Sequence, residues 1–418
     1  MSYLNKNFKF ILISIVLIIC FYRSPFIFLN GRFLAEDGSF WFSNAYTYGY
    51  VKGITQMYLG TQYFNLWANF SSVVASLFPI NYSPLVIVYM AFIVQLYLYI
   101  YIIFGHCTFL KTKLDKIIGV FIVIVTPPMV PAVWLASNLS QVYLAILTFL
   151  IFFQEENKKY LFNKFSPFIL FISSLSSILP CIFSPFFFYK YIINKTKLNF
   201  YNAISILIGT IFQSIIFFSI KVMGLESLSD GPRYIISSEK ILNYFYNVMV
   251  KSFFGRDITQ FIYNKTTFHQ DSLILLMSLF FFIFLFAIFI IAYKKKDKVL
   301  SLLIFFFIIQ SFLAIYAAKF EQVQGRYAVI PSILLIFSIY RTYQVSAGLL
   351  KYITMILILF TLMTGLYEFK NNNIYSELLI CKGCPDWKYE VAKWKKDQNY
   401  KLKIWQYPQK TMTLGKKK

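Results

Sequence analysis

Charged residues are scarce in this sequence. Only 14% of its 418 residues are charged, whereas 58% are hydrophobic. A soluble domain could not bury that much apolar surface, and apolar runs of roughly 20 residues recur along the chain. Such runs can cross the ~30 Å hydrocarbon core of a bilayer as helices. The sequence therefore predicts an all-α polytopic membrane protein.

Histidine, cysteine and phosphate-binding glycine loops are also scarce. The chain has two histidines and five cysteines, and it contains no loop of the GxxxxGKS type. A histidine-based metal centre and nucleotide hydrolysis therefore have no support. Cys381 and Cys384 form a CKGC pair, for which a local disulfide is the favoured interpretation because two further zinc ligands are missing nearby.

Acidic residues are few, and the net charge of +23 comes mostly from lysines clustered between the apolar runs. In a soluble protein this balance would suggest nucleic acid as a partner. In a membrane protein such clusters are topology signals instead, so we expect no nucleic-acid binding. Basic connections alternate with connections poor in Lys and Arg, and this alternation predicts a cytoplasmic N-terminus.

The apolar runs predict a transmembrane domain, 1–368, followed by a short basic tail, 369–418. The domain contains about eleven membrane-spanning helices. The predicted spans are 9–29, 84–106, 116–133, 141–153, 166–179, 181–193, 200–222, 272–293, 299–317, 327–343 and 351–368. An odd number of spans puts the tail outside with the alternate loops, although its twelve lysines favour the cytoplasm.

Three outer segments result from this topology: a first loop, 30–83, a second loop, 223–271, and a short third loop, 319–327. The aromatic stretch from Tyr58 to Phe78 in the first loop is either an interfacial helix or an extra span. Charge alternation favours the interfacial helix. Spans 166–179 and 181–193 are interrupted by proline, which indicates either a cavity-lining broken helix or a simple loop turn.

An acidic pair, Glu36 and Asp37, lies in GRFLAEDGSFW directly after the first span. The simplest interpretation is a solvated pair, or one that is paired with Arg32. The aromatic surroundings at headgroup depth favour a functional site instead, because partial desolvation raises a carboxyl pKa toward the range of a general base. The second carboxylate would orient the first or share a divalent cation with it, Mg²⁺ or Mn²⁺.

Several cations are predicted on the same side of the membrane as the acidic pair. Arg233, Lys240 and Arg256 lie in the second outer loop, and Lys319 and Arg326 lie in the third. A phosphate on an outer-leaflet lipid needs such groups, and arginine binds it in a bidentate manner. Arg326 in QGRY is the strongest candidate, because the next span begins at the adjacent Tyr327.

These motifs carry a resemblance to a known family. An acidic motif in a long first outer loop, followed by many spans, resembles the GT-C superfamily of membrane glycosyltransferases. RFLAEDGSFWFSNAYTYGY, QGRYAVIP and PDWKYEVAKWKKDQNYKLKIWQYP resemble bacterial members that assemble surface polysaccharides. Unlike many GT-C enzymes, this chain has only about 50 residues after its last predicted span.

The resemblance implies a GT-C-like bundle with interfacial helices, and an inverting transfer from a polyprenyl-phosphate-linked sugar. The acceptor is a glycan or glycolipid such as O-antigen, at the periplasmic face of a bacterial inner membrane. Asp37 or Glu36 is the implied catalytic base, with Asp37 favoured, and a divalent cation is the one cofactor left open. The implied donor-phosphate ligands are Arg326, Arg233, Lys319 and Tyr327.

Two other functions remain open at this level. An O-antigen polymerase or ligase would depend on the arginines of the outer loops more than on the acidic pair. A flippase or other transporter of lipid-linked oligosaccharides would carry charges within its spans and an internal repeat. The tail tryptophans Trp387, Trp394 and Trp405 would stack on sugars or anchor the tail at the headgroups, and anchoring is the favoured interpretation.

The topology can be tested with reporter fusions at residues 110, 295 and 418. We expect cytoplasmic signals at 110 and 295, because both follow or adjoin lysine-rich connections, and an extracytoplasmic signal at 418. A cytoplasmic signal at 418 would refute the odd number of spans.

Overall fold

A computed structural model of the protein describes residues 2–59, 62–126, 132–156, 161–225, 236–266, 272–318, 325–371, 379, 381, 383–405 and 409–415. The described part of the chain is almost entirely helical, which confirms the all-α fold class. The chain forms two compact units, each described by itself. The first contains Met1–Cys107, Pro131–Ser229 and Asn373–Lys418, and the second contains Thr108–Val130 and Asp230–Asn372.

The described part of the chain contains helices and one short pair of strands. The described helices are α1 (Ser2–Arg23), α2 (Pro25–Asn30), α3 (Ser43–Tyr48), α4 (Tyr50–Thr55), α5 (Leu66–Leu77), α6 (Ser83–Phe104), α7 (Lys113–Val125), α8 (Ser140–Phe152), α9 (Leu161–Ser176), α10 (Ile178–Cys181), α11 (Ser184–Asn194), α12 (Lys197–Val222), α13 (Ser238–Phe245), α14 (Lys251–Thr266), α15 (Ser272–Lys295), α16 (Lys298–Ala317), α17 (Gly325–Val345), α18 (Gly348–Asn371) and α19 (Trp387–Lys396). π-Helical turns cover Asp37–Phe42 and Tyr246–Val250, and a 3₁₀ turn covers Ile80–Tyr82. Strands β1 (Leu402–Lys403) and β2 (Thr411–Met412) pair antiparallel.

Five helices in the described part of the chain are long and apolar enough to cross a membrane. They are α6 with the 3₁₀ turn before it, α12, α16, α17 and α18. The other predicted spans coincide with helices that are shorter, interrupted or described only in part. For example, α7 and α8 have 13 residues each, and Pro25 starts a new helix within the predicted first span. The chain therefore has the helices of a membrane protein.

The predicted interruption near Pro180 is confirmed. α9 ends at Ser176, and Ser177 has an extended backbone before the short α10. Gln213 of α12 donates its side-chain amide to the Ser174 carbonyl at 3.2 Å and to the Phe64 carbonyl at 2.9 Å. A protein side chain thus supplies hydrogen bonds where the helix is broken, which is the condition for irregular backbone at membrane depth.

The stretch from Tyr58 to Phe78 does not form a full span. Its helix, α5, has 12 residues, about half the length needed to cross a bilayer. Its serine, asparagine and alanine side chains are buried against the protein, whereas Phe70 and Leu77 are exposed. This arrangement, with polar groups inward and apolar groups outward, suits a helix that lies at a lipid interface.

The tail packs into the first unit against the first outer loop. Val391, Trp394, Leu402, Ile404, Met412 and Leu414 of the tail share one apolar core with Phe33, Phe42, Ala75, Ile80 and Ile87. The Trp387 indole donates to the Ile80 carbonyl at 2.8 Å, and Trp405 packs on Leu34. Trp394 is buried in this core, so the predicted anchoring in lipid headgroups is wrong for that residue, whereas Trp387 and Trp405 pack on the protein and keep part of their surface exposed. Cys381 and Cys384 form the predicted disulfide, with Cα atoms 5.1 Å apart.

The second unit is built on α16, α17 and α18, which pack on one another, and α14 packs along α18. Lys240, one of the cations predicted on the side of the acidic pair, is 3% exposed, and its ammonium donates to the Ala318 carbonyl at 2.8 Å. That contact caps the C-terminal end of α16, where a cation is favourable. Lys240 therefore has a structural role.

Gly31, which follows α2, offers a stability test with a matched control. Gly31 and Gly49 both have positive φ, +70° and +84°, with extended ψ, a combination that essentially only glycine adopts. A Cβ at Gly31 would collide with the backbone of Pro84 and Leu85, whereas a Cβ at Gly49 would meet no heavy atom within 4 Å. We expect Gly31→Ala to cost about 2 kcal/mol more than Gly49→Ala in thermal unfolding of the detergent-solubilised protein. Equal losses would contradict the close approach of α2 and α6.

Candidate functional site

The acidic pair lies where the backbone turns sharply after α2. Ala35 adopts a left-handed conformation with φ of +45°. Its carbonyl accepts an N–H hydrogen bond from Gly38 at 3.2 Å, and Asp37 begins the first π-helical turn. Left-handed residues other than glycine are strained and persist where the surrounding structure imposes them. The turn gives the side chains of Glu36 and Asp37 different neighbours.

Asp37 is buried and held by backbone donors. Its side chain is only 2% exposed. One carboxylate oxygen accepts the N–H of Asn138 at 2.9 Å, and the other accepts the N–H of Ser137 at 3.2 Å. Both donors belong to the irregular segment that precedes α8. The carboxylate therefore joins the first outer loop to a segment about 100 residues further along the chain.

Two buried arginines contact Trp134, in the segment that holds this carboxylate. Arg32 is 5% exposed, and its guanidinium donates to the Trp134 carbonyl at 3.1 Å. The Arg23 guanidinium lies 4.5 Å from the centre of the Trp134 ring, a cation–π arrangement. The Trp134 indole in turn donates to the Ser24 hydroxyl at 2.8 Å. Trp134 thus connects both arginines to the segment that holds Asp37.

Burial dominates the acid–base properties of this cluster. It raises the pKa of Asp37 to about 7, against the lowering effect of the hydrogen bonds from Asn138 and Ser137. The neighbouring Glu36 raises that pKa further, and Arg32 lowers it. Burial also lowers the pKa of Arg32 to about 10, and Asp37 opposes that change. Near neutral pH the Asp37 carboxyl can therefore both accept and release a proton.

Glu36 has different surroundings. Its side chain is 29% exposed, and one carboxylate oxygen lies 3.1 Å from the ammonium of Lys410 in the tail. The two members of the acidic pair therefore differ in solvent access and in partners. Asp37 is the buried acid–base group, and Glu36 is a partly exposed carboxylate that forms an ion pair with Lys410.

A cluster of aromatic side chains includes residues that closely follow the acidic pair in the sequence. Phe40, Trp41 and Tyr58 form a mutual cluster, with ring centres 4.8 to 5.6 Å apart. Trp41 is buried, and its carbonyl accepts the Gln56 side-chain amide at 3.1 Å. Phe40 and Tyr58 keep part of their surface exposed. Partly exposed aromatic faces next to a polar group are surfaces on which a sugar ring can pack.

The predicted phosphate ligands lie elsewhere in the chain. Arg326 and Tyr327 are half-buried in the first turn of α17, and the Arg326 guanidinium lies 5.3 Å from the centre of the Tyr327 ring. They belong to the second unit, whereas Asp37 belongs to the first. Arg233 and Lys319 lie outside the described residues.

The acidic pair does not offer a shared cation site. Both oxygens of Asp37 accept backbone N–H groups, and Glu36 is paired with Lys410. Arg32 adds a buried positive charge nearby. Within the described ranges, no three His, Cys, Asp or Glu side chains are grouped so that they could hold a metal ion. A divalent cation held jointly by Glu36 and Asp37 does not fit these contacts.

The sequence patterns missed most partners of the acidic pair. Arg32 was considered as a counter-ion, and the structure does bring it within electrostatic range of Asp37. Ser137, Asn138 and Lys410 carry no motif of their own, and only the fold identifies them. The one available signal was polarity: Ser137 and Asn138 interrupt an otherwise apolar stretch before α8.

Comparisons of this chain with protein-family models, with curated proteins and with solved structures found no match. The functional interpretation of the site therefore rests on the geometry and chemistry of its residues.

The pKa of Asp37 predicts a specific pH dependence of stability. In the unfolded chain this carboxyl titrates near 3.8, and in the folded chain near 7. Its protonated form therefore stabilises the fold fully below pH 3.8, and this contribution is lost as the pH rises through 7, by at most about 1.4 kcal/mol per pH unit. We expect the melting-temperature difference between wild type and Asp37→Asn to fall from pH 5 to about pH 7 and then to level off.

The control is Asp257→Asn, the same substitution at an exposed aspartate. The fall expected for Asp37→Asn should exceed any change seen for this variant over the same range. A flat profile for Asp37→Asn would contradict the raised pKa of its carboxyl.

Proposed function

We propose that this chain is a membrane glycosyltransferase similar to the GT-C enzymes, with Asp37 as its general base. The sugar would come from a polyprenyl-phosphate-linked donor, and the acceptor would be a cell-surface glycan or glycolipid such as O-antigen. The observation that carries the proposal is the Asp37 carboxyl itself. It is buried, oriented by two backbone N–H groups and half-protonated near pH 7, the condition that suits a general base.

In the proposed reaction, an acceptor hydroxyl gives its proton to Asp37 while its oxygen attacks the anomeric carbon of the donor sugar. The bond between that carbon and the phosphate oxygen breaks, and the electron pair leaves with the polyprenyl phosphate. The new glycosidic bond forms on the opposite face of the sugar, with inversion. Because Asp37 is 2% exposed, its covering segment must move locally before an acceptor can reach it.

The surroundings of Asp37 have spare hydrogen-bonding capacity for a polyhydroxylated substrate. In the part of the chain that the structure describes, the buried Ser137 hydroxyl and the Asn138 side-chain oxygen have no hydrogen-bond partner. Buried polar atoms are normally paired, so an unpaired set beside a titratable group favours a ligand or ordered water there. Sugar hydroxyls supply such partners, and the Phe40 and Tyr58 rings supply a packing surface.

The resemblance to GT-C enzymes assigns the leaving phosphate to the cations Arg326, Arg233 and Lys319 and to the hydroxyl of Tyr327, and we keep this assignment as part of the proposal. One well-placed donor to a developing anion contributes about 2.7–4 kcal/mol to transition-state stabilisation. A divalent cation would be an additional means of neutralising the phosphate, at a position other than the acidic pair. No step of the proposed reaction requires such an ion.

We place the site at the periplasmic face of a bacterial inner membrane, in an eleven-span topology with a cytoplasmic N-terminus. Two contacts support this side. The tail packs on the first outer loop, so the acidic pair and the tail lie on the same side of the membrane. The Cys381–Cys384 disulfide lies at the start of that tail, and disulfides persist in oxidising compartments.

Substitution of the acidic pair tests the enzyme hypothesis. Asp37→Asn should lower sugar transfer by about 100-fold or more, since a general base contributes about 10² to 10⁴ in rate. Glu36→Gln should have a smaller effect, because Glu36 is half-exposed and bound to Lys410. The measurement is the electrophoretic mobility and sugar content of the cell-surface glycan at matched expression levels, with Asp257→Asn as control.

An unchanged glycan in the Asp37→Asn strain would refute the proposed base. Loss of the glycan on replacing Arg233 or Arg256, with Asp37→Asn silent, would instead favour an O-antigen polymerase or ligase. A flippase would be indicated if lipid-linked intermediates accumulate on the inner leaflet while glycosyl transfer in detergent stays intact.

A further inference from the structure

The C-terminal segment, defined here as residues 387–415, continues the structure around the acidic pair. Its helix α19 and its strands β1 and β2 contribute half of the apolar core that supports the first outer loop. Trp405 forms a parallel bridge with Leu34, and its carbonyl accepts the N–H of Ala35 at 2.8 Å. The segment therefore contacts the backbone immediately before Glu36.

The same segment also binds the loop after the acidic pair. The Ser43 hydroxyl donates to the Thr413 carbonyl at 2.5 Å, and the Gly415 N–H donates to the Thr47 hydroxyl at 3.0 Å. Contacts before and after the pair fix the position of β2 and the residues that precede it. Lys410 directly precedes β2, and this position brings its ammonium to the Glu36 carboxylate.

We propose that Lys410 is a positioning residue for the acidic pair, through which the C-terminal segment becomes part of the active site. Its ammonium holds Glu36 in one orientation and neutralises its charge beside Asp37. An effect of Lys410 on catalysis rests on the proposed function. The electrostatic coupling of Lys410, Glu36 and Asp37 does not depend on it.

The electrostatic reason follows from the charges that face Asp37. Glu36 disfavours ionisation of Asp37, and Arg32 favours it. The segment before α8 contributes the neutral Ser137 and Asn138, and Arg23 contacts the ring of Trp134 in the same segment. The C-terminal segment contributes Lys410. Without the Lys410 charge, the full negative charge of Glu36 would act on Asp37 and raise its pKa.

The first test measures this coupling without measuring enzyme activity. Four full-length proteins are prepared in detergent: wild type, K410M, K410R and E36Q/K410M. Each is compared with the same protein carrying Asp37→Asn in addition, and the difference in melting temperature within each pair is recorded against pH. The slope of that profile changes where the folded Asp37 titrates, and we expect the midpoint of this change to move up by about 0.5 to 1 pH unit in K410M. K410R should keep the wild-type midpoint, and E36Q/K410M should return it to the wild-type value or below.

An unmoved midpoint in K410M would overturn the proposal, because a merely structural lysine would lower stability without shifting the titration of Asp37. The pH dependence of surface-glycan synthesis should move in the same direction in K410M cells if the proposed function is also correct. A shifted stability midpoint together with an intact glycan in Asp37→Asn cells would retain the positioning role of Lys410 and reject the glycosyltransferase reaction.

The second test examines the docking of the C-terminal segment directly. A Cβ built at Gly415 lies 3.5 Å from the Thr47 Cβ, within the range of disulfide-bonded pairs. Thr47→Cys/Gly415→Cys in the full-length protein in membranes should form a disulfide under mild oxidation, detected by mass spectrometry. Thr47→Cys/Lys401→Cys, which uses an exposed position of the same segment, should stay reduced. Failure of the first pair to cross-link, or equal cross-linking of both pairs, would show that the segment does not dock as described.

Discussion

The Asp37 carboxylate, held by the N–H groups of Ser137 and Asn138, is the contact on which the site depends. A buried carboxylate is costly unless donors surround it, and backbone donors can be supplied only by a segment that is itself held in place. Trp134 holds that segment through its contacts with Arg32, Arg23 and Ser24. The same enclosure that satisfies the carboxylate also raises its pKa toward neutrality, so structure and acid–base chemistry have one cause.

The first outer loop would be poorly supported without the tail. Its short helices α3, α4 and α5 have too few residues to be stable alone, and short helices in proteins depend on tertiary packing. The C-terminal segment supplies that packing through Trp394, Leu402 and Met412, and it places Lys410 beside Glu36. The unusual composition of the tail, with many lysines and several tryptophans, therefore has two uses: the tryptophans pack inward, and one lysine completes the acidic site.

Local patterns predicted the helices well and the contacts of the site poorly. The span predicted at 84–106 corresponds to α6, and the interruption near Pro180 was recognised from proline alone, because each depends on neighbouring residues. The predicted span at 116–133 was too long, since α7 ends at Val125. The anchoring role predicted for Trp394 was wrong, because an aromatic residue suited to headgroups is equally suited to a protein core, and composition cannot distinguish the two.

The sequence by itself determined the class of the protein and the position of its acidic pair. Apolar runs, lysine clusters and the adjacent Glu36 and Asp37 are local features that can be read without a fold. The tertiary structure decided which carboxylate is buried and which is paired with a cation. Those outcomes depend on Ser137 and Asn138, about 100 residues away, and on Lys410, 374 residues away. Contacts at such separations arise from the packing of whole helices and loops, and no periodicity within a segment encodes them.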